Sequence, residues 1–158
     1  MDIRIRSGYK EDLPAVLGLV KELAEYERAP HDVVVTVEDM ERDGFGDDPI
    51  FKFFVAEHDG KIVGMALYYI KYSTWKGRCV FLEDIIVTEK FRRYKVGRQL
   101  FEAVVRAAKK LKVRRVEWQV LDWNTPAIKF YEKYDAQFLK EWLSCRLTEE
   151  QIMAFPEK

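Results

Sequence analysis

The chain has 158 residues, 48% of them hydrophobic and 34% charged, with 27 Lys plus Arg balancing 27 Asp plus Glu. That length matches one domain with one core, ~100–150 residues being typical, and the apolar content argues against disorder. No apolar run approaches the ~20 residues needed to cross a bilayer, and the opening Met1-Asp2-Ile3-Arg4-Ile5-Arg6 lacks the apolar stretch of a secretory signal, so a single cytoplasmic domain over residues 1–158, without membrane contact, is expected.

Residues 2–6 alternate as a strand, after which Leu13, Val16, Leu17, Val20, Leu23 and Ala24 recur at helical spacing. Thr36 followed by Asp39 resembles a helix-start cap and predicts a short helix over 37–43, stopped at Gly44. Two strand-like runs over 51–57 and 62–70 flank Asp59-Gly60, a preferred hairpin turn. A strand from Val80 to Val87 follows the Ser73–Gly77 loop. The period turns helical from Val96 to about Lys110, with Val96, Leu100, Val104, Ala107, Ala108 and Leu111 on one face. Arg115–Leu121 reads as a strand, Thr125-Pro126 as the capped start of a helix ending near Tyr134, and Phe138–Leu147 as a last strand. The order predicts a mixed α/β layer with three consecutive antiparallel strands.

Several chemistries drop out by absence. His31 and His58 are the only histidines, neither has a ligand-like neighbour, and no metal is expected. Cys79 and Cys145 form neither a disulfide framework nor a CxxC pair. Ser7, Ser73 and Ser144 sit in no nucleophile elbow, and no phosphate loop of the nucleotide-hydrolase type is present. Gly44-Phe45-Gly46 is followed at once by Asp47 and Asp48, which would repel a phosphate; it reads as a turn.

The zero net charge conceals two poles. Residues 22–59 carry 12 acidic side chains against three basic ones, whereas residues 90–115 carry 11 basic ones against Glu102 alone. Such a chain suits one anionic and one cationic ligand, or simply presents two solvated faces. Inside the apolar strand Val80–Val87 stand Glu83 and Asp84, whose burial needs a reason. Strand alternation sends them to opposite faces unless the strand is bulged. One could be a general base with a raised pKa, or a partner in a structural salt bridge. Next, Lys90-Phe91-Arg92-Arg93-Tyr94-Lys95-Val96-Gly97-Arg98 leads into a helix. Free N–H groups and the helix dipole there suit an anion cradle; a nucleic-acid patch, which would need a wider basic and aromatic face, and a solvated loop are the alternatives.

Three segments together, Leu82-Glu83-Asp84-Ile85-Ile86-Val87, Phe91-Arg92-Arg93-Tyr94-Lys95-Val96-Gly97 and Asp122-Trp123-Asn124-Thr125-Pro126-Ala127-Ile128-Lys129-Phe130-Tyr131, resemble the GNAT superfamily of acetyl-CoA-dependent N-acetyltransferases. Within it the likeness is to the spermidine/spermine (diamine) acetyltransferases, to which Lys21–Glu27, Asp43–Gly46 and Ala66–Tyr69 are also similar. The resemblance implies a mostly antiparallel central sheet flanked by helices, a homodimer, acetyl-CoA as donor without a metal, and a small cationic amine rather than nucleic acid as partner.

It also implies roles. The turn Arg92, Arg93, Tyr94, Lys95, Val96, Gly97 and Arg98 would hold the CoA pyrophosphate. Backbone groups of Ile85, Ile86 and Val87 would pair with the pantetheine arm, which Asn124 and the following Thr125, Pro126 and Ala127 would also meet. Glu83 would draw the proton from the substrate ammonium through water, and Tyr131 would be the acid, a phenol of pKa ~10 being matched to a departing thiolate; on pattern alone a residue such as Tyr131 is more often a core aromatic. Tyr26, Glu27, Trp75, Asp84 and also Glu83 would line the amine channel, with Glu117, Trp118 and Gln119 near substrate. Against the family's usual Arg-Gly-x-Gly-x-Gly, Arg93 and Lys95 occupy the first two glycine positions. Ser73 stands where the diamine enzymes carry an acidic residue, and Pro30-His31 replaces an acidic pair, which points to a short diamine or lysine-like amine. A catalytically weak CoA- or peptide-binding regulatory module of the same fold is the alternative.

Overall fold

The computed structural model describes all 158 residues, in two compact units, Met1–Gln119 and Val120–Lys158. The first unit holds β1 (Arg4–Ser7), α1 (Leu13–Tyr26), α2 (Val37–Phe45), β2 (Lys52–His58), β3 (Lys61–Ser73), β4 (Gly77–Val87), α3 (Val96–Lys110) and β5 (Val116–Glu117). The strands form one sheet in the order β1-β2-β3-β4-β5, antiparallel except for the parallel β4–β5 pair. The expected mixed, mostly antiparallel sheet with flanking helices is what forms.

Each face of the sheet is covered by the helix whose apolar stripe fits it. Leu13, Val16 and Leu17 of α1 and Met40 of α2 pack with Phe53, Val55, Met65 and Ile86 of the sheet in one core cluster. α3 buries Val96, Leu100, Val104 and Ala108, one residue every four, and packs on β3 and β4. Gly64 faces α3, where an added Cβ would lie 3.1 Å from Leu100 Cδ1 and 2.9 Å from the Ile86 carbonyl. Local signals set the joints. Thr36 Oγ1 accepts from the Asp39 amide at 3.1 Å while the Asp39 carboxylate accepts from the Thr36 amide at 2.9 Å, closing the predicted capping box. Asp59 and Gly60 both take positive φ, 48° and 74°, as the tight hairpin turn requires.

Two predicted strands differ. The strand expected over Arg115–Leu121 is reduced to Val116–Glu117, because its ladder to β4 contains only Val80↔Val116 and Phe81↔Glu117. Just beyond Phe81, β4 is bulged, and a bulge bends the strand away from its neighbour. In the second unit, α4 (Thr125–Glu132) and α5 (Glu149–Met153) form, but Phe138–Leu147 joins no ladder. It makes no ladder despite its alternating pattern, and Trp142 and Leu143 stay 70% and 85% exposed. α5 was signalled by Thr148 and Gln151, which form a second capping box. The cap of α4 is Asn124 rather than Thr125, its Oδ1 accepting from the Ala127 amide at 3.4 Å. No helix is long and apolar enough to cross a membrane.

Candidate active site

The centre of the site is the bulge in β4. Tyr69 pairs with Phe81 and Tyr68 with Leu82, but Leu67 pairs with Asp84, leaving Glu83 as the extra residue. Since Leu67 and Tyr69 lie on the same face of β3, Asp84 is brought to the face that carries Phe81. Glu83 turns to that face too: its Oε2 accepts from the Tyr69 hydroxyl at 3.0 Å. The bulge thus resolves the alternation problem by putting both carboxylates on one side.

Like charges and partial burial then act on the group. Asp84, half-buried, has its pKa pushed up to about 7, mainly by burial and further by the charges of Glu83 and Glu27. Glu27 is itself raised by burial. It sits at the end of α1, where the chain turns through a left-handed Arg28 at φ 63°. The Tyr69 phenol is raised to about 12, chiefly by burial, then by Glu83 and Asp84. Glu83 and Glu27 thus both act on Asp84 while the neutral Tyr69 phenol meets Glu83, an arrangement that suits a cation and the uptake of its proton.

Down the same strand, β4 runs into the basic turn. Arg92 Nε donates to the Val87 carbonyl at 3.0 Å, its guanidinium lies 3.5 Å from Glu22 and 5.6 Å over the Tyr26 ring, and Glu22 also accepts from the Glu89 amide at 3.1 Å. Glu89, Lys90, Arg92, Arg93 and Tyr94 line a surface concavity. Arg93 and Lys95 adopt φ of 72° and 61°, so the backbone keeps the glycine conformation at both positions where glycine is replaced. Lys95 is the N-cap of α3 and makes no side-chain cap, leaving the first amides at Val96 and Gly97 for a ligand. That uncapped start of a 15-residue helix, fed by four cations, fits a pyrophosphate. Beyond Phe81 the outer edge of β4, with Ile85, Ile86 and Val87, has no strand partner, which suits an amide-bearing arm.

The other predicted residues fall elsewhere. Trp75, 82% exposed, sits in the β3–β4 turn, where its amide donates to Ser73 Oγ at 3.2 Å. Six ladder positions, about 20 Å, separate that turn from the Leu67–Asp84 pair, so the chain does not bring Trp75 to the carboxylates. Glu117 is engaged by Lys71 at 2.7 Å and Arg115 at 3.2 Å, and the Lys71 hydrogen bond holds its carboxyl below the usual range. Trp118 packs edge-on against Phe101 with centroids 5.3 Å apart, and Gln119 is exposed. In the second unit Asn124, Thr125, Pro126 and Ala127 open α4, and Tyr131 is buried on that helix beside Phe130, with 5.2 Å between ring centroids. Tyr69 is the residue that sequence reasoning missed; its signal was its place in the Ala66–Tyr69 run, opposite the strand carrying two carboxylates.

A basic helix start after β4 and a carboxylate pair on its bulge suit a group-transfer enzyme. Residues 17–135 match the Acetyltransferase (GNAT) family. A thialysine N-epsilon-acetyltransferase of Mus musculus is 37% identical over 160 residues, covering 94% of either chain. An L-ornithine N5-acetyltransferase of Arabidopsis thaliana is 39% identical over 125 residues, 78% of this chain and 52% of that one. Among solved structures, an integron cassette protein from V. cholerae shares the fold at a TM-score of 0.79 and 22% identity, over 97% of this chain and 96% of that one. The chain belongs to the GNAT acetyltransferase family and is an N-acetyltransferase, transferring an acetyl group to an amine.

Proposed function

We propose that this enzyme acetylates the primary amine of a short cationic acceptor, a lysine- or ornithine-like amino acid or a small diamine, with acetyl-CoA as donor. The observation that carries the reading is the bulge that gathers Glu83 and Asp84 on one face with Glu27 nearby. The carboxylates hold the acceptor's ammonium, Glu83 receives its proton through water, and the freed amine attacks the acetyl carbonyl. Tyr131 gives a proton to the departing thiolate. The α3 start, with Arg93 and Lys95, holds the pyrophosphate, and the open edge of β4 takes the amide-bearing arm. The family match spans 17–135, across both units, which supports one acetyltransferase domain.

Acceptor use should rise with pH through neutrality. Below pH about 7 Asp84 is protonated and contributes no charge to an ammonium; above it the carboxylate forms, and the acceptor amine also moves toward its reactive neutral form. Glu27→Gln removes a charge that raises Asp84, so the acid limb of kcat/KM should move to lower pH while KM for a dicationic acceptor rises several-fold. Competition among lysine-like, diamine and spermine-like acceptors at fixed acetyl-CoA, with and without Glu27→Gln, measures both effects. Preference for a neutral or anionic acceptor would refute the assignment.

The exposed apolar residues of the last segment, Trp142, Leu143 and Leu147, support a homodimer that covers them. Sedimentation should give a dimer for the native chain and a monomer for Trp142→Glu with Leu143→Glu. A native monomer at micromolar concentration would contradict this.

A further inference from the structure

The hydroxyl of Tyr69 has one recorded partner, Glu83, although the ring that carries it is fixed independently. The ring packs against Phe81, its cross-strand partner, at a centroid distance of 5.4 Å, and Lys71 Nζ lies 5.7 Å from the centroid of the Phe81 ring. Packing therefore does not need the hydroxyl. Glu83, in contrast, is the unpaired residue of a bulge and exposed, so neither ladder geometry nor burial fixes its side chain. A flexible carboxylate has several rotamers, and a hydrogen bond to a rigid donor selects one of them.

We propose that Tyr69 is a positioning residue for the acetyl-transfer reaction, its hydroxyl holding the Glu83 carboxylate in the orientation from which it receives the acceptor's proton. The inference rests on Glu83 being the base. Tyr69 from β3 meets Glu83 directly, Asp84 stands beside it on β4, and Glu27 from the end of α1 acts on Asp84. Glu83 and Asp84 then differ in task. Glu83, held by the phenol, takes the proton, while Asp84 supplies charge to the ammonium.

Tyr69→Phe keeps the ring and its packing on Phe81 and deletes only the hydrogen bond. Measured at neutral pH, the variant should lose about tenfold in kcat and leave KM for acetyl-CoA unchanged. The same change made on a Glu83→Gln background should cause no further loss, because the hydroxyl acts only through that carboxylate. An undiminished kcat in Tyr69→Phe, or an equal loss in both backgrounds, would overturn the positioning role and return Tyr69 to packing. Wild-type turnover in Glu83→Gln would be a different failure, that of the base assignment beneath it. Thermal midpoints of the four proteins separate a folding defect from either result, and the background comparison decides the question even if Tyr69→Phe lowers stability.

Discussion

Tyr131→Phe is expected to lower turnover by roughly 10²–10⁴-fold in a protein that still folds, the range by which a positioned acid or base accelerates reaction. The substitution keeps an aromatic ring on α4, where Tyr131 is 5% exposed and meets Phe130 edge to face. The core at that point therefore loses no volume. What disappears is a proton donor whose ordinary pKa of ~10 lies close to that of a thiol leaving group, so that transfer to the departing sulfur is neither strongly uphill nor premature. Turnover measured beside a single-turnover experiment, with the thermal midpoint as a folding control, decides the matter. Full activity with chemistry rate-limiting would leave Tyr131 a packing residue.

The second large effect concerns the cradle. Arg93→Gly combined with Lys95→Gly should weaken acetyl-CoA binding about 10²-fold and at the same time raise thermal stability. Loss of affinity follows from removing two cations that can make charge-assisted hydrogen bonds to phosphate, each worth ~1.5–3 kcal/mol before screening by solvent. The gain in stability follows from the backbone: at φ of 72° and 61° a side chain costs about 1 kcal/mol that glycine does not. Two such sites amount to a rise of several degrees in the midpoint for a chain of this size. Calorimetry against acetyl-CoA and a thermal melt on the same sample give both numbers. Unchanged affinity with raised stability would mean that the backbone amides of α3 alone hold the pyrophosphate.

Helices with a clean apolar stripe and a capping pair were legible from residues alone: α3 runs over Val96–Lys110 as its period predicts, and α2 begins at the Thr36–Asp39 box. The central antiparallel strands were legible for the same reason, each being long and bounded by turn residues. What could not be read is pairing. Arg115–Leu121 has a strand's pattern throughout, yet only two residues find a partner, because the neighbouring strand bends away. Phe138–Leu147 has the pattern and joins no ladder. The paired carboxylates posed the corresponding question about the site: alternation allowed one of them to face a cleft unless β4 was bulged, and the Leu67–Asp84 register supplies the bulge. Tyr69 was invisible as a site residue because its hydroxyl meets Glu83 across 14 positions of sequence. No local period encodes such a meeting.

The parting of β4 and β5 has a cost that the bulge also meets. From Glu83 to Val87 the outer edge of a central strand carries apolar side chains and no strand partner, and such an edge is a template on which another chain can add a strand and begin to aggregate. Proteins guard exposed edges with bulges that break the regular spacing of backbone donors and acceptors and with charges that an incoming strand would have to bury. Glu83 and Asp84 are both at once, and they stand where β5 leaves. The residues proposed to gather the acceptor thereby also guard the edge against a strand, and a carboxylate lost from the bulge weakens the protection of the solution state.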